Sequence, residues 1–181
     1  MSISDIVAEV CRHPAEFVVL TGGEPMIAKG IHELAAALKI SGKHITIETA
    51  ATVPPVGIAC NLASLSPKMS NSTPTLEQAG PWRDRHEKMR SSLAVIAEWM
   101  GGGPFQLKFV VSSPEGLAEI EALLGNLPSP VAPRKVLLMP QGITSEELAM
   151  RSAWLVDVCK RRGYRYCNRL HIDLFGNKRG T

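Results

Sequence analysis

The stretch FVVLTGGEPMIAKGIHELAAALK, residues 17–39, decides the fold. Its apolar run, 17–20, stops at Thr21-Gly22-Gly23-Glu24-Pro25, and a helical pattern follows over 27–40. A continuous apolar strand that leads directly into an amphipathic helix is typical of the parallel units of α/β proteins. The apolar face of this predicted helix consists of Ile27, Ile31, Leu34, Ala35 and Leu38.

The rest of the chain repeats this alternation. Thr144 is the predicted N-cap of the longest helix, with Glu147 completing a capping box. We therefore predict a single domain, 1–181, with a mostly parallel sheet of about six strands and helices outside it. Parallel units normally open with a strand, so we also expect a segment before Met1 and an uncovered sheet edge. The other predicted elements are helices over 3–12, 84–100, 114–124 and 144–162, strands over 44–49, within 56–68, and over 105–111, 134–139 and 165–175, and a loop over 69–82.

Ligands of parallel α/β folds bind at the carboxyl ends of the strands. Four strand ends should therefore share one rim: TGGEP (21–25), ET (48–49), SPK (66–68) and MPQG (139–142). Two glycines admit a ligand close to the backbone, and a carboxylate at Glu24 suits an ammonium group. Each motif also has a simpler interpretation, since glycine and proline are common in ordinary turns and loops.

Composition and charge narrow the class of protein. The 181 residues are 45% hydrophobic and 20% charged, with a formal charge of +3, which is ordinary for a globular protein. The densest basic run, Lys160–Arg162, falls at a predicted helix end, so we expect no nucleic-acid partner. No apolar segment is long enough for a bilayer, and we expect no membrane partner. The four cysteines, 11, 60, 159 and 167, form no CxxC pair and no secretory signal is expected, which favours reduced thiols in the cytoplasm.

In combination, VVLTGGEPM, ITIETAAT, LSPKMS, VLLMPQG and RLHIDLFGNKRGT resemble the 7-carboxy-7-deazaguanine synthases, a family of radical S-adenosylmethionine enzymes. The resemblance extends from about residue 15 to the C-terminus, and the motifs occur in the same order as in the family. It implies an incomplete, open (β/α) barrel of the radical S-adenosylmethionine type. It also implies a carbon–nitrogen lyase that contracts the ring of 6-carboxy-5,6,7,8-tetrahydropterin to 7-carboxy-7-deazaguanine, a precursor of queuosine.

The resemblance further assigns residues. Thr21 and the chain end, Thr181, would contact the pterin substrate, whereas His171 points to that region only by position. Glu48 is not counted among the site residues. S-adenosylmethionine would be bound by Gly22, Gly23, Glu24, Ser66, Pro67, Lys68, Met139, Pro140, Gln141 and Gly142.

Two departures from the family pattern bear on activity. Ala50-Ala51 stands where the family usually has Asn-Gly, so the turn after the second strand is expected to differ. The CxxxCxxC loop for the [4Fe-4S] cluster and the threonine that helps to hold Mg²⁺ are absent from these residues. The chain alone is therefore expected to bind neither group and to lack activity. A homodimer and a flavodoxin-type reductant are implied by the resemblance alone.

Two alternatives stay open. The chain could be a degenerate, non-catalytic relative that binds a nucleoside or a protein, or a general α/β binding module. Retention of TGGEP, SPK and MPQG together favours the enzyme family over both.

Overall fold

The computed structural model describes residues 1–81, 83–84, 90 and 92–178. Its centre is one sheet in which all neighbouring strands pair in parallel, and the spatial order of the strands is their order along the chain. The strands are β1 (Phe17–Leu20), β2 (His44–Thr49), β3 (Leu62–Leu65), β4 (Phe105–Val111), β5 (Val136–Pro140) and β6 (Arg165–Tyr166). The predicted α/β class and parallel sheet are confirmed.

Helices connect the successive strands except β2 and β3, which are joined by an irregular segment over 50–61, and they cover one face of the sheet. Alternation along β2 separates the two faces, because Ile45 and Ile47 are fully buried under helices while Thr46 and Glu48 on the other face are only half-buried. The covered face holds the core, including Leu38, Phe109 and Leu155. The helices are α1 (Ile3–Cys11), α2 (Ile31–Ile40), α3 (Leu76–Ala79), α4 (Leu93–Gly101), α5 (Pro114–Gly125), α6 (Ser145–Arg162) and α7 (Leu170–Phe175), with 3-10 turns at Pro25–Ile27, Ser70–Ser72 and Pro133–Lys135.

Strand β1 lies at an edge of the sheet, as predicted. Its single strand neighbour among the described residues is β2. Phe17 and Val19, on the face away from the helices, are 68% and 54% exposed. Within the described ranges, no helix combines the length and the apolar character that a membrane crossing requires.

The predicted final strand over 165–175 is confirmed only at its start, as β6, and is wrong for Leu170–Phe175. The last ladder bond runs from the amide of Cys167 to the carbonyl of Leu138, and in this register β5, which ends at Pro140, has no residue left to pair with Leu170–Phe175. Without a neighbouring strand, the backbone must satisfy its hydrogen bonds internally. It does so as helix α7, whose alternating apolar residues had suggested a strand.

Other boundaries also differ from prediction, including that of the strand predicted over 134–139, which begins at Val136 after the 3-10 turn Pro133–Lys135. The helix predicted over 27–40 begins at Ile31, because the chain first makes the 3-10 turn Pro25–Ile27 and a left-handed N-cap at Gly30. Ile27 is consequently 74% exposed rather than part of the apolar face. The predicted loop 69–82 contains the turn Ser70–Ser72 and helix α3.

Of the helix predicted over 84–100, the structure has α4, capped by Ser92, while residues 85–89 and 91 lie outside the described residues. Thr144 caps α6 as predicted, and its hydroxyl accepts a hydrogen bond from the amide of Glu147 at 3.3 Å. The Glu147 carboxylate, however, accepts from the amide of Ile143 at 2.7 Å, so the capping box is not closed on Thr144 itself.

Candidate functional site

The predicted motifs share one rim of the sheet. TGGEP follows β1, Thr49 ends β2, Ser66–Lys68 follows β3 and Gln141–Gly142 follows β5, and these strands all run in the same direction. The predicted common rim is thus confirmed. Side chains and backbone groups from four strands of this sheet can therefore face the same rim.

The tip of β1 presents open backbone. Residues 21–23 are exposed, and a Cβ placed on Gly22 or Gly23 would meet no atom within 4 Å. Gly22 has φ +148°, in the region that favours glycine, whereas Gly23 does not need positive φ. In the described part of the chain, no hydrogen bond reaches the main-chain groups of either glycine. The tip therefore offers free amides and carbonyls to a ligand.

The Glu24 carboxylate is held inside the rim by β2 and the residues after it. The hydroxyl of Thr49 donates to both carboxylate oxygens, at 2.7 and 2.9 Å. The amides of Met26 and Ala50 donate at 3.2 and 3.1 Å, and the hydroxyl of Thr52 donates at 3.3 Å. A carboxylate has about four acceptor positions, so an added ammonium would replace one of these donors. The longest bond, from Thr52, is the easiest to displace.

A cavity of about 240 Å³ lies further along the rim and joins two of the predicted motifs. Ser66, Pro67 and Lys68 form one side of it, and Gln141 forms another. Ser66 and Pro67 are buried, whereas Lys68 is exposed with its ammonium available to an anionic or polar group. Met139 and Pro140 do not line this cavity, and neither do Gly22 to Glu24.

Residues that sequence reasoning missed complete the cavity. Asn71, from the predicted loop, donates its side-chain amide to Gln141 Oε1 at 2.9 Å and to the carbonyl of Val110 at 3.2 Å. Arg169 donates from Nη1 to the carbonyl of Gly142 at 2.9 Å, while its buried Nε has no partner in the described structure. Only the serine- and asparagine-rich composition of the loop hinted at Asn71, and no sequence signal identified Arg169.

Gly142 is required for packing rather than for ligand access. A Cβ at this position would lie 3.0 to 3.2 Å from atoms of Glu147 and Leu148, including the Leu148 amide nitrogen. The close approach of the chain to the N-terminus of α6 therefore favours glycine, since a Cβ would require these neighbours to shift. In this structure Gly142 presents its carbonyl to Arg169, at one wall of the cavity.

Residues 66–72, which follow β3 and contribute most of the cavity lining, form the cavity segment, and a carboxylate on the helix side holds it in place. Glu119 on α5 accepts bonds from the hydroxyl and amide of Ser70, at 2.6 and 3.0 Å, and from Nη1 of Arg90 at 2.8 Å. Arg90 also donates to the carbonyl of Lys68 at 3.1 Å. Burial alone would raise the pKa of Glu119, but the bonds from Ser70 and the charge of Arg90 outweigh it and lower the pKa.

The face of the sheet away from the helices carries a polar network. Glu48 on β2 forms an ion pair with Lys108 on β4. Gln106 donates to the hydroxyl of Ser64 at 3.1 Å and accepts from Arg165 at 3.3 Å. Glu48 lies both on this face and in the strand end ET at the rim. The hydrogen-bonding groups of the face suit a polar ligand better than an apolar one.

The cysteines do not fit an iron–sulfur cluster. Cys11 ends α1, Cys60 precedes β3, Cys159 lies within α6 and Cys167 follows β6. Over the residues that the structure describes, no three His, Cys, Asp or Glu side chains converge as metal ligands would. Burial raises the pKa of the Cys60 and Cys159 thiols, which keeps them protonated. A [4Fe-4S] cluster needs closely grouped thiolates, so these residues do not supply its site.

Two substrate positions remain predictions. Thr21 is exposed at the tip of β1, beside the open glycines. Thr181 lies outside the described residues.

No protein-family model matches the chain. A 7-carboxy-7-deazaguanine synthase from Rhodopirellula baltica is 42% identical over 181 residues, which cover 99% of this chain and 69% of the relative. A protein of the same name from Halobacterium salinarum is 38% identical over 98% of this chain and 72% of its own length.

A solved structure shares the fold. QueE from Escherichia coli matches with a TM-score of 0.64 and 21% identity, covering 93% of this chain. The chain spans 64% of the length of that QueE chain. At this level of identity the match supports the architecture, and the sequence relatives supply the family.

Proposed function

Because this chain belongs to the 7-carboxy-7-deazaguanine synthase family, we propose that it contributes the S-adenosylmethionine and pterin sites of such an enzyme. The reaction proposed is the ring contraction of 6-carboxy-5,6,7,8-tetrahydropterin to 7-carboxy-7-deazaguanine, with loss of ammonia, in the route to queuosine. The enzyme class is a radical S-adenosylmethionine carbon–nitrogen lyase.

The observation that carries this proposal is the shared rim. An open glycine tip on β1 and a polar cavity after β3 and β5 lie at the same end of one parallel sheet. S-adenosylmethionine has an amino-acid end and a nucleoside end, and a binding site for it needs two such regions on one surface. The exposed main chain of Gly22 and Gly23 has no protein partner among the described residues, so its amides and carbonyls are open to the amino-acid end of the cofactor.

The roles of individual residues follow from the groups that each one exposes. Gly22 and Gly23 would bind the amino group of the cofactor through their main chain, and Glu24 would accept a bond from the same ammonium in place of Thr52. The nucleoside and methionine side would be bound at the cavity by Ser66, Pro67, Lys68 and Gln141, and outside its lining by Met139, Pro140 and Gly142. Thr21 and Thr181 would contact the pterin.

The iron–sulfur cluster and Mg²⁺ belong to the complete family enzyme in this proposal. The described cysteines do not fit the cluster, so its three thiolates would come from a CxxxCxxC segment. A cytoplasmic setting, a homodimer and a flavodoxin-type reductant are proposed on family resemblance alone. No nucleic-acid or membrane partner is proposed.

The test is anaerobic turnover of the pterin with S-adenosylmethionine and a reductant, followed by mass spectrometry of the product. The chain alone is compared with a version extended at its N-terminus by a segment that carries the CxxxCxxC pattern of the family. We expect 7-carboxy-7-deazaguanine only from the extended version. Extended protein that carries a full cluster but forms no product would contradict the proposal.

The mismatch between the cysteines and a cluster favours one second candidate, a non-catalytic relative that binds a nucleoside or a protein partner. This candidate predicts binding of S-adenosylmethionine or of adenosine without turnover by either version. Product formation by the extended protein therefore separates the two functions.

A further inference from the structure

We propose that Thr49 is a positioning residue that couples the glycine tip of β1 to the cavity segment after β3. This inference rests on the proposed function, in which both regions bind the same cofactor. No sequence motif assigned a role to Thr49, which sequence reasoning treated as the last residue of β2.

Thr49 contacts both regions directly. Its hydroxyl donates to the Glu24 carboxylate, at 2.7 and 2.9 Å, on the β1 side. Its main-chain carbonyl accepts a 2.7 Å bond from the amide of Ser66, on the β3 side. One residue thus joins Glu24 and Ser66, which lie on opposite sides of β2.

The hydroxyl also fixes the local backbone. It accepts a bond from the amide of Ala51 at 3.0 Å, and Ala51 has φ +55°, a left-handed conformation that is unfavourable for alanine. A hydroxyl has one donor and can accept two bonds, so Thr49 can serve Glu24 and Ala51 together. The side chain therefore sets both the direction of the Thr49 carbonyl and the turn that follows it.

Burial makes this connection rigid. Thr49 is 2% exposed and Ser66 is 5% exposed, so water does not compete for either bond. A hydrogen bond to a carboxylate in such surroundings is stronger than one between neutral groups. Loss of the hydroxyl would leave Glu24 with its three weaker donors and would release the end of β2.

The physical consequence is a fixed spacing between the two ends of the ligand site. Glu24 positions the glycine tip, and Ser66 is the first residue of the segment that lines the cavity. With Thr49 in place, both ends are fixed before the ligand arrives, which lowers the cost of binding. Without its hydroxyl, each end can still form, but their separation is no longer set.

The chain offers matched variants. Thr49→Val keeps the shape and removes the hydroxyl, whereas Thr49→Ser keeps the hydroxyl and removes a methyl group. Thr46→Val makes the same change on the same strand, on the face away from the helices. Should Thr49→Val fail to fold, Thr49→Ala replaces it, since it adds no group that must be accommodated.

The experiment measures S-adenosylmethionine affinity by calorimetry and amide exchange by NMR, on this chain and on the extended protein. We expect Thr49→Val to weaken binding about fivefold to tenfold, since it removes a charge-assisted bond that acts indirectly. Thr49→Ser and Thr46→Val should stay within about twofold of the unmodified protein, because neither loses a bond to Glu24. Equal affinity of Thr49→Val and the unmodified protein would overturn the proposal.

Amide exchange separates coupling from a local turn and does not need a ligand. In Thr49→Val the amides of Ala51 and Ser66 should both exchange faster, and Thr49→Ser should restore both. Faster exchange at Ala51 alone would mean that Thr49 supports only its own turn, and the proposal would fail. If the unmodified extended protein does not bind S-adenosylmethionine, the proposed function fails, while the exchange result still decides the coupling.

Discussion

The side-chain amide of Asn71 lies 2.9 Å from Oε1 of Gln141 and donates a hydrogen bond to it. Both residues line the cavity at the rim. Because Asn71 engages the oxygen of the Gln141 amide, the NH₂ group of Gln141 is the donor that this side chain has left for a ligand. Asn71 thereby determines which hydrogen-bonding group of Gln141, in the MPQG motif, remains available.

Asn71→Ala is therefore expected to weaken S-adenosylmethionine binding about twofold to tenfold, the range for loss of one neutral hydrogen bond. Calorimetric titration of the extended protein measures the change. Asn126→Ala is the control, because the Asn126 side chain bonds only its own helix, at the carbonyl of Ala122. An equal loss of S-adenosylmethionine affinity in the two variants would show that the bond from Asn71 to Gln141 does not contribute to binding at the cavity.

Glu24→Ala should weaken binding of S-adenosylmethionine by the extended protein about tenfold to a hundredfold, since it removes a charged acceptor. Glu24→Gln keeps an acceptor and loses the charge, so its affinity should fall between. In the chain alone, affinity should be weak for every variant because no iron contacts the cofactor. If the extended protein and its Glu24→Ala variant bind equally well, TGGEP is an ordinary turn.

Glu119 should give a pH-dependent contribution to stability. Its pKa is lowered in the folded state, so the stabilisation is present above the unfolded value of about 4.3 and is lost as the pH falls through the folded value. The melting temperature of Glu119→Gln should therefore lie below that of the unmodified chain at pH 7, and the gap should narrow as the pH falls below about 4.3. A gap that stays constant down to acid pH would exclude ionised Glu119 as its source.

Glu115→Gln is the matched control for that experiment, since Glu115 is on the same helix. Hydrogen bonds from Ser113 and from its own backbone lower its pKa, but its side chain is exposed and has no bond to the cavity segment. Its effect at pH 7 should be smaller than that of Glu119→Gln.

Gly142→Ala should destabilise the fold by about 1 to 3 kcal/mol, because its methyl group would overlap the start of α6. Urea unfolding gives the change. Gly125→Ala is the contrasting variant: its Cβ would meet nothing within 4 Å, and alanine favours the helix in which it lies. Destabilisation of the same size in both would show that the α6 contact is not the cause.

Anaerobic reconstitution of the chain alone with iron and sulfide should yield no [4Fe-4S] cluster, because its cysteines stand on separate elements. Iron and sulfide analysis together with visible absorbance provides the measurement. About four irons and four sulfides per chain, the content of one such cluster, would contradict the prediction.

Local pattern predicted the fold well where the elements are regular. The apolar run at 17–20 and the alternating pattern at 105–111 predicted strands, and parallel pairing then placed TGGEP and SPK at one rim. The burial of the two strands differs, because β1 is an exposed edge strand, whereas Leu107, Phe109 and Val111 of β4 are buried. Leu170–Phe175 was misassigned because six residues with alternating apolar side chains fit both a strand and a short helix. Whether a neighbouring strand extends far enough to pair with these residues depends on the tertiary structure, which the local pattern does not give.

The site was predicted less completely, for a related reason. Glycine and proline directly after an apolar strand indicate the end of that strand in the sequence itself, so Gly22, Gly23 and Pro67 could be found without a structure. The partners of those tips come from distant positions: Asn71 meets Gln141 across 70 residues, and Thr49 meets Glu24 across 25. No periodicity encodes such pairs, and only the packed sheet shows them.

The order of the strands has a consequence for how this chain reaches its native state. Each strand pairs with the one that precedes it in the sequence, so the sheet can grow by addition at one edge. Contacts between successive units close short loops and favour fast folding, whereas a sheet that begins in its middle must first join distant segments. A chain leaving the ribosome could therefore assemble β1 and β2 first and add later strands as they emerge, each with its helix.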